Sequence, residues 1–188
     1  MTTREKIYES AVVLIAEHGY AATTIDEIAA KAEVAKGTVY YNFGSKEELF
    51  RQLLGYGVDL LTSRMTEVSK GLKGTAALDA IFTEVLQRAS KTPAFMQLLF
   101  TEMYRTGRAW QDTLLFVREN VLGVIRNVIA EGKESGEFDP SVDPETASAA
   151  AMGALAIAIL DWLAYHPSTP VDELHKSVSQ LLLRGLVG

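Results

Sequence analysis

Apolar positions recur at three- and four-residue steps along almost the whole chain, and no two-residue alternation persists between hairpin turn signals, which predicts an all-α protein. Ile7, Ala11, Leu14, Ile15 and His18 share one face of a first helix, and Gly19 is placed to stop it. Thr24 opens a short second helix running through Ala32, with Asp26 and Glu27 at the end that the helix dipole makes positive. A third helix runs from near Lys36 to Asn42. Ser45, followed three residues later by Glu48, reads as a capping box at the start of a fourth helix that continues to about Ser69. A fifth covers Ala76 to Ala89, a sixth runs from Pro93 to about Tyr104, and a seventh from near Trp110 to Ser135 before Gly136. The eighth spans about Pro144 to Tyr165, and the ninth, after Pro170, carries Val171, Leu174, Val178, Leu181 and Leu182 on one stripe. Three short helices followed by six longer ones suggest a small head, residues 1–46, joined to a larger helical body, residues 47–188.

Composition adds constraints. With 48% hydrophobic and 22% charged residues the chain has the means to bury a real core. Its net charge of −6 speaks against nucleic acid, because phosphate binding normally leaves a basic footprint. Residues 1–50 are no exception, with five basic against eight acidic side chains, yet the stretch from Lys36 to Lys46 holds two lysines and no acid. The lack of cysteine removes disulfides, thiolate zinc sites and thiol nucleophiles, and no cofactor or metal is expected. The charged N-terminal stretch lacks the apolar run of a signal peptide. The longest uncharged run, Thr146 to Leu160, has 15 residues, short of the roughly 18 of a membrane span, so a cytoplasmic protein without a membrane partner is expected.

The stretch from Thr23 to Phe50 has the make-up of a helix-turn-helix. Ile25, Ile28 and Ala29 before the turn and Val34, Val39 and Phe43 after it supply an apolar inner face. That leaves Lys36, Gly37, Thr38, Tyr40, Tyr41 and Asn42 on or near the outer face of the third helix, donors and flat rings suited to a major groove and its phosphates. Tyr40 and Tyr41 are adjacent, so both cannot face one core and at least one ring is held outward.

Thr24, Ile28-Ala29, Ala32, Val34, Gly37-Thr38, Tyr40, Phe43, Lys46-Glu47 and Leu49 stand in unbroken register. In that pattern the first 50 or so residues resemble the DNA-binding domain of the tetracycline-repressor (TetR) family of bacterial regulators. The resemblance implies that the third helix reads bases of a double-stranded operator and that Thr24, Asn42 and Lys46 touch phosphate. Two positions depart from the family pattern: Glu33 stands where glycine is common in the turn, and Ala35 where serine often caps the recognition helix. A positive φ at a non-glycine residue and a lost cap each cost about 1 kcal/mol.

In the body, Phe95, Met96, Leu99, Phe100, Met103 and Tyr104, then Trp110 and Phe116, form a run of large soft side chains that Phe82 and Trp162 can join. The resemblance implies an effector cavity among the fourth to eighth helices, which makes these its expected walls. Asn120 is a candidate polar contact there, with Gln97, Glu84, Arg105 and Asp161, although each is also readily read as a solvated or paired group. Ala149, Gly153, Ala156, Leu160 and Leu163 form a narrow stripe that lets a second helix approach closely. With Val178 and Leu181 of the ninth helix it resembles the family's four-helix dimer interface, so a homodimer is expected. Gly55 and Gly57 inside the fourth helix read either as a bendable turn or as room for close packing. The rival functions are an all-helical enzyme and a protein-interaction module. The first lacks a nucleophile elbow, a phosphate loop and the histidine spacing of a metal site. The second has only the acidic charge in its favour.

Overall fold

The computed structural model describes residues 1–103 and 111–186, and among these residues every regular element is helical. In chain order they are α1 (Thr3–His18), α2 (Ile25–Lys31), α3 (Lys36–Phe43), α4 (Lys46–Ser69), α5 (Gly74–Lys91), α6 (Pro93–Met103), α7 (Gln111–Glu134), α8 (Pro144–Tyr165) and α9 (Val171–Arg184). Of the first three, α1 and α3 pack on α4, and α2 packs on α1 and α3. The same unbroken α4 also packs on α5 and α7, so it joins the first three helices to the later ones. The buried side chains form a continuous cluster, running from Ile7, Ile28, Val39 and Phe43 through Phe50 and Leu54 to Phe82, Ile125 and Ile159.

Helix starts follow the local chemistry. Thr2 and Glu5 form a reciprocal capping box on α1, and Thr24 and Glu27 form another on α2. At α4 the expected box is only half made. Ser45 Oγ accepts the Glu48 N–H at 3.0 Å, but the Glu48 carboxylate turns along the helix to Arg51 and Gln52. Those two donors lower its pKa to about 2. The start of α5 is capped from a distance: Thr75 N and Thr75 Oγ1 both donate to Glu137 Oε1 at 2.8 Å. Gly74, with φ 46°, lies where a Cβ would overlap that carboxylate. These capping bonds also lower the pKa of Glu137.

The helix α9 is fastened to α5 through His175, whose Nε2 lies 3.0 Å from Asp79 Oδ1, 2.9 Å from Thr83 Oγ1 and 3.0 Å from Ser179 Oγ. Because Thr83 donates its own proton to the Asp79 carbonyl at 2.8 Å, both it and Asp79 are acceptors, so His175 must donate from Nε2. By length and composition α8 is apolar enough to cross a membrane, with a mean hydropathy of 1.7 over its best window, although its longest uncharged run is short. Ser148, Ala151, Met152, Leu155, Ala156, Ile159 and Trp162 instead face the bundle. Only 39% of that window is buried within the protomer.

Candidate nucleic-acid interface

The turn between α2 and α3 is closed by backbone bonds, Glu33 N to Ala30 O at 3.2 Å and Val34 N to Ala29 O at 3.0 Å. Glu33 takes φ 56°, the left-handed conformation that the sequence departure implies, and is the only non-glycine residue to do so among those described. Ala35 is the N-cap of α3 and offers no side-chain acceptor. Val39 and Phe43 anchor α3 inward, and its outward face is left to Lys36, Gly37, Tyr40 and Tyr41, with Thr38 and Asn42 half-buried at its edges. Tyr40 is 45% and Tyr41 91% exposed. The space above Gly37 is open, so the backbone of the first turn can be approached closely.

The polar groups around these rings are mostly held by their own neighbours. Lys36 Nζ lies 2.9 Å from Asp26 Oδ1 on α2, and that hydrogen bond and charge raise its pKa. Asn42 Nδ2 donates to the Thr38 carbonyl at 2.8 Å, turning part of its amide back on α3. Thr24 Oγ1 accepts the Glu27 N–H at 3.2 Å and lies 2.8 Å from the Glu27 carboxylate, so its hydroxyl serves α2. Lys46 sits 4.4 Å over the Tyr20 ring and donates to the Ala21 carbonyl at 3.4 Å, which ties α4 to the end of α1. The role of Asp26 in holding Lys36 was missed from the sequence. The pair is ten residues apart and crosses the turn, so no helical period signals it.

The matching models of known families divide at α4. A model described as bacterial regulatory proteins, tetR family, matches residues 7–53, and one described as a tetracyclin repressor-like C-terminal domain matches residues 71–186. The chain belongs to the tetR family of bacterial regulatory proteins. An HTH-type transcriptional regulator of Bacillus subtilis is 27% identical, over 97% of this chain and 96% of the relative. The fatty acid metabolism regulator protein of the same species is 24% identical, over 96% and 94%. Among solved structures, FadR from Bacillus subtilis in complex with stearoyl-CoA superposes with a TM-score of 0.87, at 23% identity, covering 97% of this chain and 98% of that one.

As in other tetR-family regulators, the helix-turn-helix is carried by a larger all-helical body, and the predicted body residues fall into distinct places. Phe82, Met96, Leu99 and Phe100 are fully buried between α5, α6 and their neighbours, and Phe95 is half-buried against α4. Trp162 is buried at the end of α8 and donates Nε1–H to the Thr169 carbonyl at 2.9 Å. Tyr104 and Trp110 lie outside the described residues, as does the side chain of Met103. Phe116 and Asn120 correct the expectation: Phe116 is 47% exposed, and the exposed Asn120 donates to the Phe116 carbonyl of its own helix at 2.7 Å. Both lie on the outer side of α7, whose inward side carries Val117, Val121 and Ile125. Of the polar candidates, Gln97 and Asp161 are exposed, while Glu84 is paired with Arg64 and Arg88.

The stripe expected at a dimer contact is only partly outward on α8. Ala156 is buried inside the protomer, as is Val178 on α9, so neither is available to a partner. Gly153, Leu160, Ala149 and Leu163 are half-buried. The outward ridge instead carries Ile157, 66% exposed, between Gly153 and Leu160, and Leu181 on α9 is 74% exposed.

Proposed function

We propose that the chain works as a homodimeric, ligand-released repressor acting on DNA in the cytoplasm. Residues 1–46 read a palindromic operator through α3, and residues 47–188 dimerise and take a largely apolar effector. The observation that carries this reading is the outward face of α3, where Tyr40 and Tyr41, 45% and 91% exposed, share the helix with a lysine that can exchange Asp26 for a phosphate. Two such helices are needed, since one short helix grips few base pairs and half-sites one duplex turn apart, about 34–36 Å, multiply specificity. The bare ridge of Ile157 and Leu181 supports the matching two-fold contact through α8 and α9. In the DNA contact, Tyr40, Tyr41, Thr38 and Gly37 meet base edges and sugar, while Lys36 and Lys46 meet phosphate. Thr24 and Asn42 contribute after turning from their present partners.

The effector reading leans on kinship. The relatives named for fatty acid metabolism, one of them solved with stearoyl-CoA, support an effector with a long acyl chain. The test is to capture genomic DNA fragments with the purified protein, sequence them, and titrate the recovered site with salt. The expected result is an inverted repeat bound by a dimer, with affinity falling steeply as salt rises. Recovery of no common sequence, or a monomer at micromolar concentration in sedimentation, would overturn the reading.

A further inference from the structure

A cavity of about 590 Å³ lies on the seam between head and body. Its banks are α1, the middle of α4, and the corner where α5 gives way to α6. That volume is within the range of small-molecule sites, roughly 300–1,000 Å³. Its lining is apolar along most of its length. Tyr8 and Val12 come from α1, Leu53 and Leu60 from α4, and Phe95 from α6. Tyr8 and Tyr56 stack with ring centroids 5.4 Å apart, and Tyr56 and Leu60 are exposed large apolar side chains on one face of α4. Phe95 is fixed against the helix backbone at Gly57, where any Cβ would overlap its ring.

Charge is not symmetric across the two banks. On the α1 bank, Glu5 Oε2 is engaged by the Thr2 N–H at 2.7 Å, and Glu9 is exposed to water. On the opposite bank Arg88 is poorly matched by what surrounds it. Its Nε is buried with no hydrogen-bond partner, and its Nη2 reaches Glu84 Oε1 only at 3.5 Å. Arg64 Nε approaches the same Glu84 oxygen at 3.7 Å. A guanidinium has five donors, so Arg88 keeps bonding capacity that this shared carboxylate does not fill. The exposed Lys91 adds a second positive charge on the same bank. A partly buried cation short of acceptors is best completed by an anion of the bidentate kind.

The geometry points to a second ligand site at this seam, one that takes an aliphatic carboxylate, with its chain along Tyr8, Leu53, Leu60 and Phe95 and its carboxylate on Arg88. This inference rests on the reading of the chain as a ligand-responsive DNA binder, but its site is distinct from any cavity inside the body. Because α1 packs directly on α6, an occupant between α1, α4 and the α5–α6 corner acts as a wedge on the tilt of the head. Occupancy therefore weakens operator binding.

The test uses the full chain and dodecanoate below its micellar concentration, with dodecanol and dodecyltrimethylammonium as comparators. Binding is followed by calorimetry, and operator affinity is measured with and without each compound. Dodecanoate should bind the parent and lower operator affinity at least tenfold. Arg88→Gln should lose at least tenfold in dodecanoate affinity but hold dodecanol as the parent does, and Arg88→Lys should recover part of the loss. Leu60→Glu, at an exposed position that leaves the fold intact, places a carboxylate in the cavity and should also weaken dodecanoate. Equal dodecanoate binding by the parent, Arg88→Gln and Leu60→Glu would overturn the inference. So would no dodecanoate binding by the parent, or tighter binding of dodecyltrimethylammonium. Operator binding and dimerisation without any added compound, measured on the same samples, report separately on the underlying function.

Discussion

The outer face of α3 and the outer ridge of α8 and α9 both hold large apolar side chains out in water, but their surroundings differ. Tyr40 and Tyr41 carry hydroxyls and stand beside Lys36, Thr38 and Asn42, groups that all have hydrogen bonds to offer. Around Ile157 such groups are fewer: Gly153, Ala154, Ala158 and Leu160 have none, and only the exposed Asp161, one turn on, does. A face of the first kind suits a groove of base edges and phosphates, where water is displaced by other polar groups. A face of the second kind suits another apolar surface, and a two-fold axis presents it with itself. In the proposed reading exposure marks both surfaces, and the polarity of the near neighbours tells one from the other.

The largest expected effect is on the ridge of Ile157 and Leu181. Ile157→Asp combined with Leu181→Asp would bury unpaired charges at the proposed dimer contact, each costing several kcal/mol. The double variant should be a folded monomer in sedimentation at micromolar concentration and should lose more than 100-fold in operator affinity. A dimer of normal affinity would put the contact elsewhere on the body. Ala156→Leu, only one position away, should behave differently. Its methyl faces the core, so it should lower stability by about 1–3 kcal/mol through overpacking and leave dimerisation intact.

On the face with polar neighbours, Tyr40→Ala should cost about 1–3 kcal/mol on the operator and much less on random DNA, because base contacts carry the sequence preference. Lys46→Ala should weaken both alike and reduce the slope of log affinity against log salt by about one. Competition binding to both DNAs at several salt concentrations separates the two. Equal losses for Tyr40→Ala on operator and random DNA would remove Tyr40 from base reading.

The helix joining the two faces supplies a third prediction, in stability. The space around Gly55 is open, and glycine inside a helix costs about 1 kcal/mol relative to alanine, so Gly55→Ala should stabilise the protein by up to that amount. At Gly57 the Phe95 ring occupies the place of a Cβ, so Gly57→Ala should destabilise by about 1–3 kcal/mol unless Phe95 moves. Urea unfolding of the two variants reads the difference. Equal and small effects would mean that Phe95 is free to swing, and the pair would return to being a bendable turn.

How far the sequence could be read follows the same physical lines. Helices whose polar and apolar sides differ, such as α4, declare their inward faces, and the cap at Thr24 marks where α2 begins. On α8 the signal fails because the helix is apolar nearly all round. Small residues occur on both its sides, so spacing alone chose Ala156 over Ile157. At α4 the capping box was half right, because Arg51 and Gln52 lie one turn on from Glu48 and compete for its carboxylate. The helix-turn-helix face was legible because all its outward residues lie within a few positions of each other. The seam cavity was not, since Tyr8, Tyr56, Arg88 and Phe95 come from four helices and no period links them.

The smallest expected effect lies at the border of the two chemistries, at Asp26. In the unbound protein Lys36 rests on Asp26, and that pair must open before the ammonium can reach a phosphate. Both groups are more than half exposed, so the pair is screened and weak, and removing it can change affinity only modestly. Asp26 also lies in the first turn of α2, where its charge favours the helix but repels an approaching phosphate. Asp26→Asn should therefore raise affinity for operator and random DNA alike, by roughly threefold at low salt, and the gain should fade as salt rises. Sequence preference should not move, because in the proposed contact Lys36 meets the phosphate backbone and reads no base. A gain on the operator alone would make Lys36 a base-reading residue, and a loss on both DNAs would show that Asp26 holds α2 in place more than it hinders binding.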